Sequence, residues 1–279
     1  MPELPEVEVI AKSLQPVLEE KILTDFWTSN KPLRSQLSKK DCQALKNKRV
    51  LKVFRRAKYL VLDLKNSWLL IHFGMTGKII VSDEQKDTFL NSNKHIHFIF
   101  KAGLNYVYYQ DTRRFGGIFY IKKKNNKADI DTQSAFKFGI EPLSEHFDTN
   151  YLYLKSRNIN QSIKSWLMTG FPVAGIGNIY ASEALFRAGI NPFAKPQNLG
   201  PVRISRLVFA IKYVLTEAIN SGGSTIKDYS STNSEPGKYS ENHLVYGKKN
   251  HRCLVCLNIL SIKNISQRSS FYCLRCQKK

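Results

Sequence analysis

Two Cys-x-x-Cys pairs near the C-terminus constrain the fold of this chain more than any other feature. Cys253 and Cys256 form the first pair, and Cys273 and Cys276 form the second after sixteen intervening residues. Two thiolates three positions apart can bind one side of a tetrahedral ion, and a second pair supplies the other side. The spacing predicts a zinc ribbon, a β-hairpin that needs its metal to fold. One Zn²⁺ bound by four cysteines is structural, since no position remains for water; a redox-active pair is the alternative.

The charge balance indicates a polyanionic partner. The 279 residues include 43 lysines and arginines against 22 acidic residues, which gives a net charge of +21. Such an excess favours nucleic acid, with an anionic membrane surface as the weaker alternative because the basic residues are spread along the chain. We expect a soluble, cytoplasmic protein, because no apolar run reaches transmembrane length and no signal peptide opens the chain. The fifth cysteine, Cys42, is expected to be a reduced thiol.

The first half of the chain is predicted to contain one long helix followed by strands. Apolar residues recur at helical spacing between about residues 5 and 20, which predicts an amphipathic helix. The next hundred residues contain short β-rich runs separated by turn signals. The expected strands lie at 50–64 in two runs, 68–73, 95–100, 106–109 and 117–121. This spacing predicts a two-sheet sandwich with the long helix at its N-terminal end.

The second half is predicted to be helical. A basic, polar stretch at 122–127 indicates an exposed loop or the approach to a linker. Apolar spacings of three and four then predict helices at 151–154, 163–168, 178–188 and 202–219. A segment rich in Ser, Gly, Asn and Pro at 222–239 predicts a mobile loop. The expected fold class is therefore α+β and multidomain.

The opening residues 1–6 contain the elements of covalent catalysis. Removal of Met1 would leave the secondary amine of Pro2 at the terminus, beside the carboxylates of Glu3 and Glu6. An amine can attack an electrophilic carbon while carboxylates transfer protons. The same residues also suit the first turn of an ordinary capped helix, so both interpretations stay open at this point.

Six motifs follow one another along the chain: Pro-Glu-Leu-Pro-Glu-Val-Glu at 2–8, Arg-Arg-Ala-Lys-Tyr-Leu at 55–60, Ile-His-Phe-Gly-Met-Thr-Gly at 71–77, Asp-Thr-Arg-Arg-Phe-Gly at 111–116, Gly-Ile-Gly-Asn-Ile-Tyr-Ala-Ser-Glu at 175–183, and the cysteine pairs. Together they resemble the formamidopyrimidine-DNA glycosylase family, bacterial base-excision repair enzymes for oxidised purines. The resemblance extends from Pro2 to Cys276. It implies a β-sandwich domain at 1–133, a helix-two-turn-helix domain with a lesion-capping loop at 134–235, and a zinc finger at 236–279.

The resemblance implies a bifunctional DNA glycosylase and AP lyase that acts on 8-oxoguanine and formamidopyrimidines. The Pro2 nitrogen would be the nucleophile at the sugar C1′, and the resulting iminium would permit β- and δ-elimination of both phosphates. Glu3 would transfer protons, Glu6 would order the terminus, and Lys58 would hold a phosphate beside the lesion. Lys164 would support the processing of oxidised purines. The enzyme is expected to be inert while Met1 remains attached.

The resemblance also assigns residues to binding damaged double-stranded DNA, which an enzyme of this kind must distort to extrude the target base. Met75 and Phe115 would be apolar wedges in the vacated stack, and Arg113 would pair with the orphaned cytosine. Methionine and phenylalanine are usually core residues, but the glycine-flanked, turn-like segments around Met75 and Phe115 favour exposure. The expected phosphate contacts are His72, His95, Arg114, Asn178 and Arg268, and Lys227 would open the capping loop.

Several of these assignments have plain structural alternatives. His72 could be a satisfied core histidine, Lys58 and Arg268 could be solvated cations, and Glu183 is by default a helix carboxylate with possible catalytic support. The sequence departs from the family pattern at Thr112, Ser165 and Lys238, the last within the capping region.

Two other functions compete with this one. An endonuclease VIII-like enzyme for oxidised pyrimidines is disfavoured by Leu4 and by the long capping loop. A non-catalytic zinc-ribbon DNA-binding protein is disfavoured by the intact Pro2, Glu3 and Lys58. We expect a monomer associated with the bacterial nucleoid.

Overall fold

The computed structural model describes residues 2–124, 130, 138–224 and 237–279. These residues form two compact units. The first unit comprises the described residues within Met1–Ala135 and Ser224–Gly237. The second comprises those within Phe136–Gly223 and Lys238–Lys279. Buried apolar clusters lie within each unit.

Helix α1 spans Leu4–Leu18 and confirms the helix predicted at about 5–20. Glu3 is its N-cap, and Pro5 lies in the first turn, where the missing backbone N–H breaks no helical hydrogen bond. One side of α1 is buried through Val7, Ile10, Ala11, Leu14 and Leu18. Each large apolar side chain buried in this way contributes about 1.5–3 kcal/mol, so the helix is held mainly by packing.

The strands and short helices of the first unit are β1 (Leu23–Thr28), α2 (Lys39–Leu45), β2 (Lys52–Arg56), β3 (Tyr59–Asp63), β4 (Ser67–His72), β5 (Gly77–Ser82), α3 (Lys86–Ser92), β6 (Ile96–Ala102), β7 (Asn105–Asp111) and β8 (Gly117–Lys122). They form two four-stranded antiparallel sheets, with strand orders β1-β6-β7-β5 and β2-β3-β4-β8. Side chains of both sheets and of α1 share one buried cluster, so the predicted two-sheet sandwich is confirmed.

The sequence prediction missed two strands, β1 and β5. They are the two edge strands of one sheet, and most of their residues are only partly buried. Neither strand shows clean apolar alternation, because β1 has a bulge between Thr24 and Trp27 and β5 has three consecutive apolar residues at 79–81. The short helices α2 and α3 were also missed, and each buries a single residue, Leu45 and Phe89 respectively.

The second unit contains the predicted helices and a C-terminal hairpin. Its helices are α4 (Thr149–Ser156), α5 (Ile163–Met168), α6 (Asn178–Arg187) and α7 (Pro201–Asn220), with 3₁₀ turns at Pro196–Asn198 and Tyr239–Asn242. Strands β9 (Ser261–Ile265) and β10 (Arg268–Tyr272) pair antiparallel. The α6 helix is buried along almost its whole length, and α5, α7 and β10 contact it.

The predicted α+β class is therefore confirmed, with its sandwich, helical part and C-terminal hairpin. The domain boundaries near 133 and 235 stay a prediction, because these positions lie outside the described residues. Among the residues that the structure describes, no helix is both long and apolar enough to cross a bilayer.

Candidate functional site

The N-terminus is fixed by the carboxylate of Glu6. Its Oε2 accepts the backbone N–H of Glu3 at 2.8 Å, and its Oε1 accepts the backbone N–H of Ser224 at 2.8 Å. Glu3 and Glu6 are each only 2% exposed, and Pro2 is buried beside them. The start of helix α1 therefore holds Pro2 and Glu3 in one place, as their predicted roles in nucleophilic attack and proton transfer would require.

Lys58 lies in the two-residue turn that joins β2 to β3. The preceding residue, Ala57, has a φ of 54°, a left-handed conformation that is costly for a side chain with a Cβ. Arg55 supports this turn, since one guanidinium nitrogen donates to the carbonyl of Ala57 at 3.2 Å. The Nε of Arg55 also donates to Glu8 of helix α1 at 2.8 Å. A largely buried ion pair thus connects the helix that carries Pro2 to the turn that carries Lys58.

His72 ends strand β4 and is a neutral imidazole at physiological pH. Burial, followed by the charges of Lys58 and Arg34, lowers the pKa of His72 to about 4. Its Nδ1 accepts the backbone N–H of Gly74 at 3.2 Å, so the neutral ring carries its proton on Nε2. The ring therefore retains one donor, which suits a phosphate oxygen. Arg34 is a basic neighbour that sequence reasoning missed, because a single arginine in a loop carries no motif.

The predicted wedge residues lie on two adjacent loops. Met75 is 39% exposed and Phe115 is 47% exposed, so both are surface side chains rather than core. The guanidinium of Arg113 lies 4.8 Å from the centre of the Phe115 ring. Gly74 has a φ of 59°, and an added Cβ would lie 2.4 Å from the backbone nitrogen of Gly116. Only glycine permits this approach of the two loops.

Asp111 organises both wedge loops, a role that sequence reasoning did not assign. Its fully buried Oδ1 accepts the hydroxyl of Thr76 at 2.5 Å and the backbone N–H of Arg113 at 3.2 Å. Its Oδ2 accepts the backbone N–H of Gly116 at 2.8 Å and the hydroxyl of Tyr109 at 3.4 Å. One carboxylate therefore connects the loop of Met75 to the loop of Arg113 and Phe115.

His95 and Arg114 are exposed beside this cluster. Both have left-handed backbone conformations, with φ values of 66° and 56°. The carbonyl of His95 accepts the backbone N–H of Asp111 at 3.0 Å, which places His95 next to the wedge loops. By contrast His97 is buried, with one ring nitrogen on the hydroxyl of Ser29 and the other on the carbonyl of Asp111. Of the two histidines, His95 is thus the one accessible to a phosphate.

In the second unit, the hairpin and helix α6 bring Asn178 and Arg268 close together. Asn178 is the first residue of α6, and its Nδ2 donates to the carbonyl of Ser269 at 3.2 Å. Arg268 is exposed at the start of β10, directly after the hairpin turn. Within the described part of the chain, the Oδ1 of Asn178 is buried without a hydrogen-bond partner. The two predicted phosphate contacts therefore lie close together in this unit.

Lys164 is almost fully buried in this unit, with 1% of its surface exposed. Its Nζ donates to the hydroxyl of Ser270 at 2.8 Å and to the carbonyl of Ser269 at 3.1 Å. These bonds connect α5 to strand β10. The predicted support of Lys164 for catalysis stays a prediction. Lys227 lies outside the described residues.

Glu183 has a clear structural task in the second unit. The carboxylate is fully buried in α6 and accepts three successive backbone N–H groups, from Leu244 at 2.9 Å, Val245 at 2.9 Å and Tyr246 at 2.8 Å. It fixes the chain that leads into the first cysteine pair. Sequence reasoning saw only a helix carboxylate, because its partners lie some sixty residues away.

The four cysteines of the two pairs form one cluster, with all four Sγ atoms within 4.8 Å of one another. Cys253 and Cys276 lie 3.8 Å apart and Cys256 and Cys273 lie 3.4 Å apart, measured between Sγ atoms. A tetrahedral ion with metal–sulfur bonds of about 2.3 Å needs sulfur–sulfur distances of about 3.8 Å. The cluster therefore fits a tetrahedral metal ion.

Comparisons with known proteins cover nearly the whole chain. Residues 1–118 match the model of the formamidopyrimidine-DNA glycosylase N-terminal domain, and residues 138–230 match that of the formamidopyrimidine-DNA glycosylase H2TH domain. The formamidopyrimidine-DNA glycosylase of Proteus mirabilis is 39% identical over 279 residues, which cover 99% of this chain and 98% of that protein. The corresponding protein of Yersinia enterocolitica is 37% identical over 99% of this chain and 100% of its own length.

Solved structures show the same fold. The crystal structure of the MutM (Fpg) protein from Thermus thermophilus is 29% identical, with a TM-score of 0.86 over 99% of this chain and 98% of that one. The complex of wild-type Lactococcus lactis Fpg (MutM) with DNA containing N7-benzyl-Fapy-dG is also 29% identical, with a TM-score of 0.88 and full coverage of both chains.

Proposed function

Because this chain belongs to the formamidopyrimidine-DNA glycosylase family, we propose that it is a bifunctional DNA glycosylase and AP lyase of base-excision repair, which removes oxidised purines from double-stranded DNA. The observation that carries the proposal is the buried N-terminus, where Glu6 fixes Glu3 beside Pro2 at the start of α1. An ordinary capped helix has no need to bury its first residues together with two carboxylates, since burial of charge is costly.

The proposed reaction starts at the nitrogen of Pro2 after removal of Met1. The lone pair of this secondary amine attacks C1′, the bond between C1′ and the base breaks, and the base leaves with the bonding electrons and a proton. Glu3 is the proposed proton-transfer group. The attacking amine then gives up its proton, and the bond between C1′ and the ring oxygen breaks as that oxygen is protonated. The product is a cationic iminium that draws electrons from C2′ and acidifies its proton. Loss of that proton expels the 3′ phosphate, and a second elimination expels the 5′ phosphate.

The remaining site residues hold and distort the DNA. Lys58 and the neutral His72 are proposed to bind phosphates beside the extruded nucleotide, with the Nε2–H of His72 as donor. Met75 and Phe115 would fill the vacated stack, and their exposure supports this role over a core role. Arg113 would donate to the orphaned cytosine.

Further phosphate contacts are proposed at His95, Arg114, Asn178 and Arg268. The first two are exposed beside the wedge loops, and the last two are neighbours at the hairpin. Lys227 is proposed to open the capping loop, and Lys164 to support purine processing. We also retain the division into domains at 1–133, 134–235 and 236–279, and a cytoplasmic location at the nucleoid, as proposals.

The ion of the cysteine cluster is proposed to be Zn²⁺. Four sulfur ligands and near-tetrahedral spacing match its preferred structural site. When bound, the metal supplies folding stability and no open position for chemistry. Elemental analysis should give one zinc per chain, and Cys276→Ala should abolish binding. Retention of a full equivalent of zinc by that variant would contradict the assignment.

Borohydride trapping tests the proposed nucleophile. Intact-mass measurement first establishes that Met1 is absent, and a duplex with 8-oxoguanine opposite cytosine is then incubated with the enzyme and borohydride. We expect a covalent adduct whose peptide map places the DNA on residue 2. Pro2→Gly with an acetylated terminus should give no adduct. The matched control is the unmodified enzyme with a free terminus, incubated without borohydride, which should cleave the DNA strand. Undiminished trapping by the blocked variant would refute the mechanism.

The substrate class is tested separately. Cleavage rates are compared on 8-oxoguanine opposite cytosine, thymine glycol opposite adenine, and a preformed abasic site. Faster cleavage of the oxidised purine supports the proposal, and faster cleavage of the oxidised pyrimidine supports the endonuclease VIII-like alternative. Failure to cleave any of the three would indicate a protein that only binds DNA.

A further inference from the structure

An exposed aromatic groove lies on helix α7 of the second unit, away from every residue assigned above. Phe209 is 72% exposed and Tyr213 is 42% exposed, and their rings stack with centroids 6.2 Å apart. They are one helical turn apart, on the face of α7 opposite its buried side. Large aromatic side chains are seldom left stacked in water without a partner, because their burial is strongly favourable.

Two arginines line this groove. Its volume is about 490 Å³, and Arg187, Arg206 and Ser205 are its polar lining residues. The guanidinium of Arg187 lies 5.1 Å from the centre of the Tyr213 ring. A stacked guanidinium still presents N–H groups at the edge of its plane, and these can bind a carboxylate. No acidic side chain is among the groove's described lining residues, so this part of the surface favours an anionic group.

A second groove of about 390 Å³ continues from the first and shares Arg187 and Tyr213. It extends to Leu254, which lies between the two cysteines of the first pair and is 66% exposed. Glu217, Glu241 and Lys248 line this second groove. The combined surface is therefore basic and aromatic at one end, and polar with charges of both signs at the other.

We propose that this surface binds an acidic, apolar-tipped peptide segment of a partner protein. Carboxylates of the peptide would bind Arg187 and Arg206, and a large apolar side chain would pack on Phe209 and Tyr213. Aromatic residues and arginine are the side chains that most often dominate protein interfaces. A net charge of +21 disfavours a second copy of this chain as the occupant.

A peptide suits this surface better than a nucleic acid does. A nucleic acid carries a negative charge on every nucleotide and would place phosphates near Glu217 and Glu241 as it follows the two grooves. A peptide can place its carboxylates only opposite the arginines and neutral side chains opposite the glutamates. The groove also lies at the Arg187 end of α6, whereas Asn178 begins that helix. The surface is thus separated from the proposed phosphate contact by the length of α6, about 15 Å.

The test measures fluorescence anisotropy of a labelled peptide, Asp-Asp-Glu-Asp-Leu-Phe, added to the full zinc-loaded protein. We expect saturable binding that weakens at least about tenfold in Phe209→Ala and in Arg206→Glu, as for a central aromatic and a charged contact. Val202→Ala, an exposed apolar residue of α7 outside both grooves, and Lys195→Glu, an exposed cation, are the matched controls. Both should bind like the unmodified protein.

Three results would overturn the proposal. The first is that the peptide does not bind, and the second is that it binds all variants equally, as a non-specific polyanion would. The third is that an unlabelled single-stranded oligonucleotide displaces the peptide from the unmodified protein but does not bind Phe209→Ala. That third result would assign the groove to nucleic acid. Cleavage of abasic DNA is measured in parallel and should be unchanged in Phe209→Ala. Loss of peptide binding is thereby distinguished from any failure of the catalytic proposal.

Discussion

Replacement of Asp111 by Asn should separate base excision from strand cleavage. The Asp111 carboxylate accepts four hydrogen bonds, two on each oxygen, and they join the loop of Met75 to the loop of Arg113 and Phe115. An asparagine keeps only one acceptor oxygen. If that oxygen serves Thr76 and Arg113, the amide NH₂ faces the backbone N–H of Gly116, and a buried donor loses its partner.

The size of the effect follows from these contacts. An unsatisfied buried N–H costs about 1–3 kcal/mol, and weakening of the charged hydrogen bonds adds to this, so we take about 3 kcal/mol for the ordered wedge. At about 1.4 kcal/mol per tenfold, excision should slow by up to about a hundredfold if every turnover needs both loops in place. The variant should also lower the pKa of the Tyr109 hydroxyl, which burial and the Asp111 carboxylate now raise.

The assay compares single-turnover excision of 8-oxoguanine with cleavage of a preformed abasic site, because the latter has no damaged base to unstack. We expect the loss on the abasic substrate to be much smaller than the loss on 8-oxoguanine. Asp83→Asn, an exposed aspartate beyond the end of β5, is the matched control. The reasoning is refuted if Asp111→Asn excises 8-oxoguanine at the normal rate, or if both activities fall together with the melting temperature.

Three further perturbations test the supports of the site. Glu183→Ala removes the acceptor of three backbone N–H groups and should lower the free energy of unfolding by about 3 kcal/mol or more, measured by urea denaturation, while Glu183→Gln should recover part of this loss. Arg55→Met breaks the ion pair with Glu8 and should lower the free energy of unfolding by about 3 kcal/mol. In a double-mutant cycle with Glu8→Gln, the two losses of stability should be coupled. Losses that simply add would contradict the pairing. The pKa of His72 is about 4 in the folded protein and near 6.5 in the unfolded chain, so the stability that this group contributes is complete above pH 6.5 and falls as the pH drops towards 4. In urea denaturation at a series of pH values, His72→Gln should therefore reduce the dependence of the free energy of unfolding on pH. An unchanged dependence would assign the loss of stability to other groups.

The sequence predicted elements with a clear apolar period and missed those without one. Helix α1 and strand β4 have strong patterns and were predicted almost to the residue. The edge strands β1 and β5 were missed because a bulge between Thr24 and Trp27 interrupts the period of β1, and the three consecutive apolar residues of β5 at 79–81 do not alternate. By contrast, the exposure of Met75 was predicted from its family motif and from the glycine-flanked, turn-like segment that contains it, although methionine is more often a core residue.

The supports of the site were beyond prediction for a different reason. The carboxylate of Asp111 was part of a recognised motif, yet its bond to Thr76 depends on the pairing of β5 with β7, which joins positions 35 apart. The contact of Glu8 with Arg55 spans 47 positions and depends on how α1 packs over β2. Spacing along a chain identifies groups that share one turn or one strand, whereas these partners are set by tertiary packing.

Three buried carboxylates share one mode of action, and that mode suits a protein with a large positive charge. Glu6, Asp111 and Glu183 each accept backbone N–H groups, and each thereby fixes a segment that leads to a proposed functional group. Had Asp111 and Glu183 been satisfied by lysine or arginine instead, each would have neutralised a cation that DNA phosphates need. Backbone N–H groups satisfy a carboxylate without consuming such a charge. The bonds also fix the main chain itself, which matters most at the N-terminus, because there the proposed nucleophile is a backbone nitrogen.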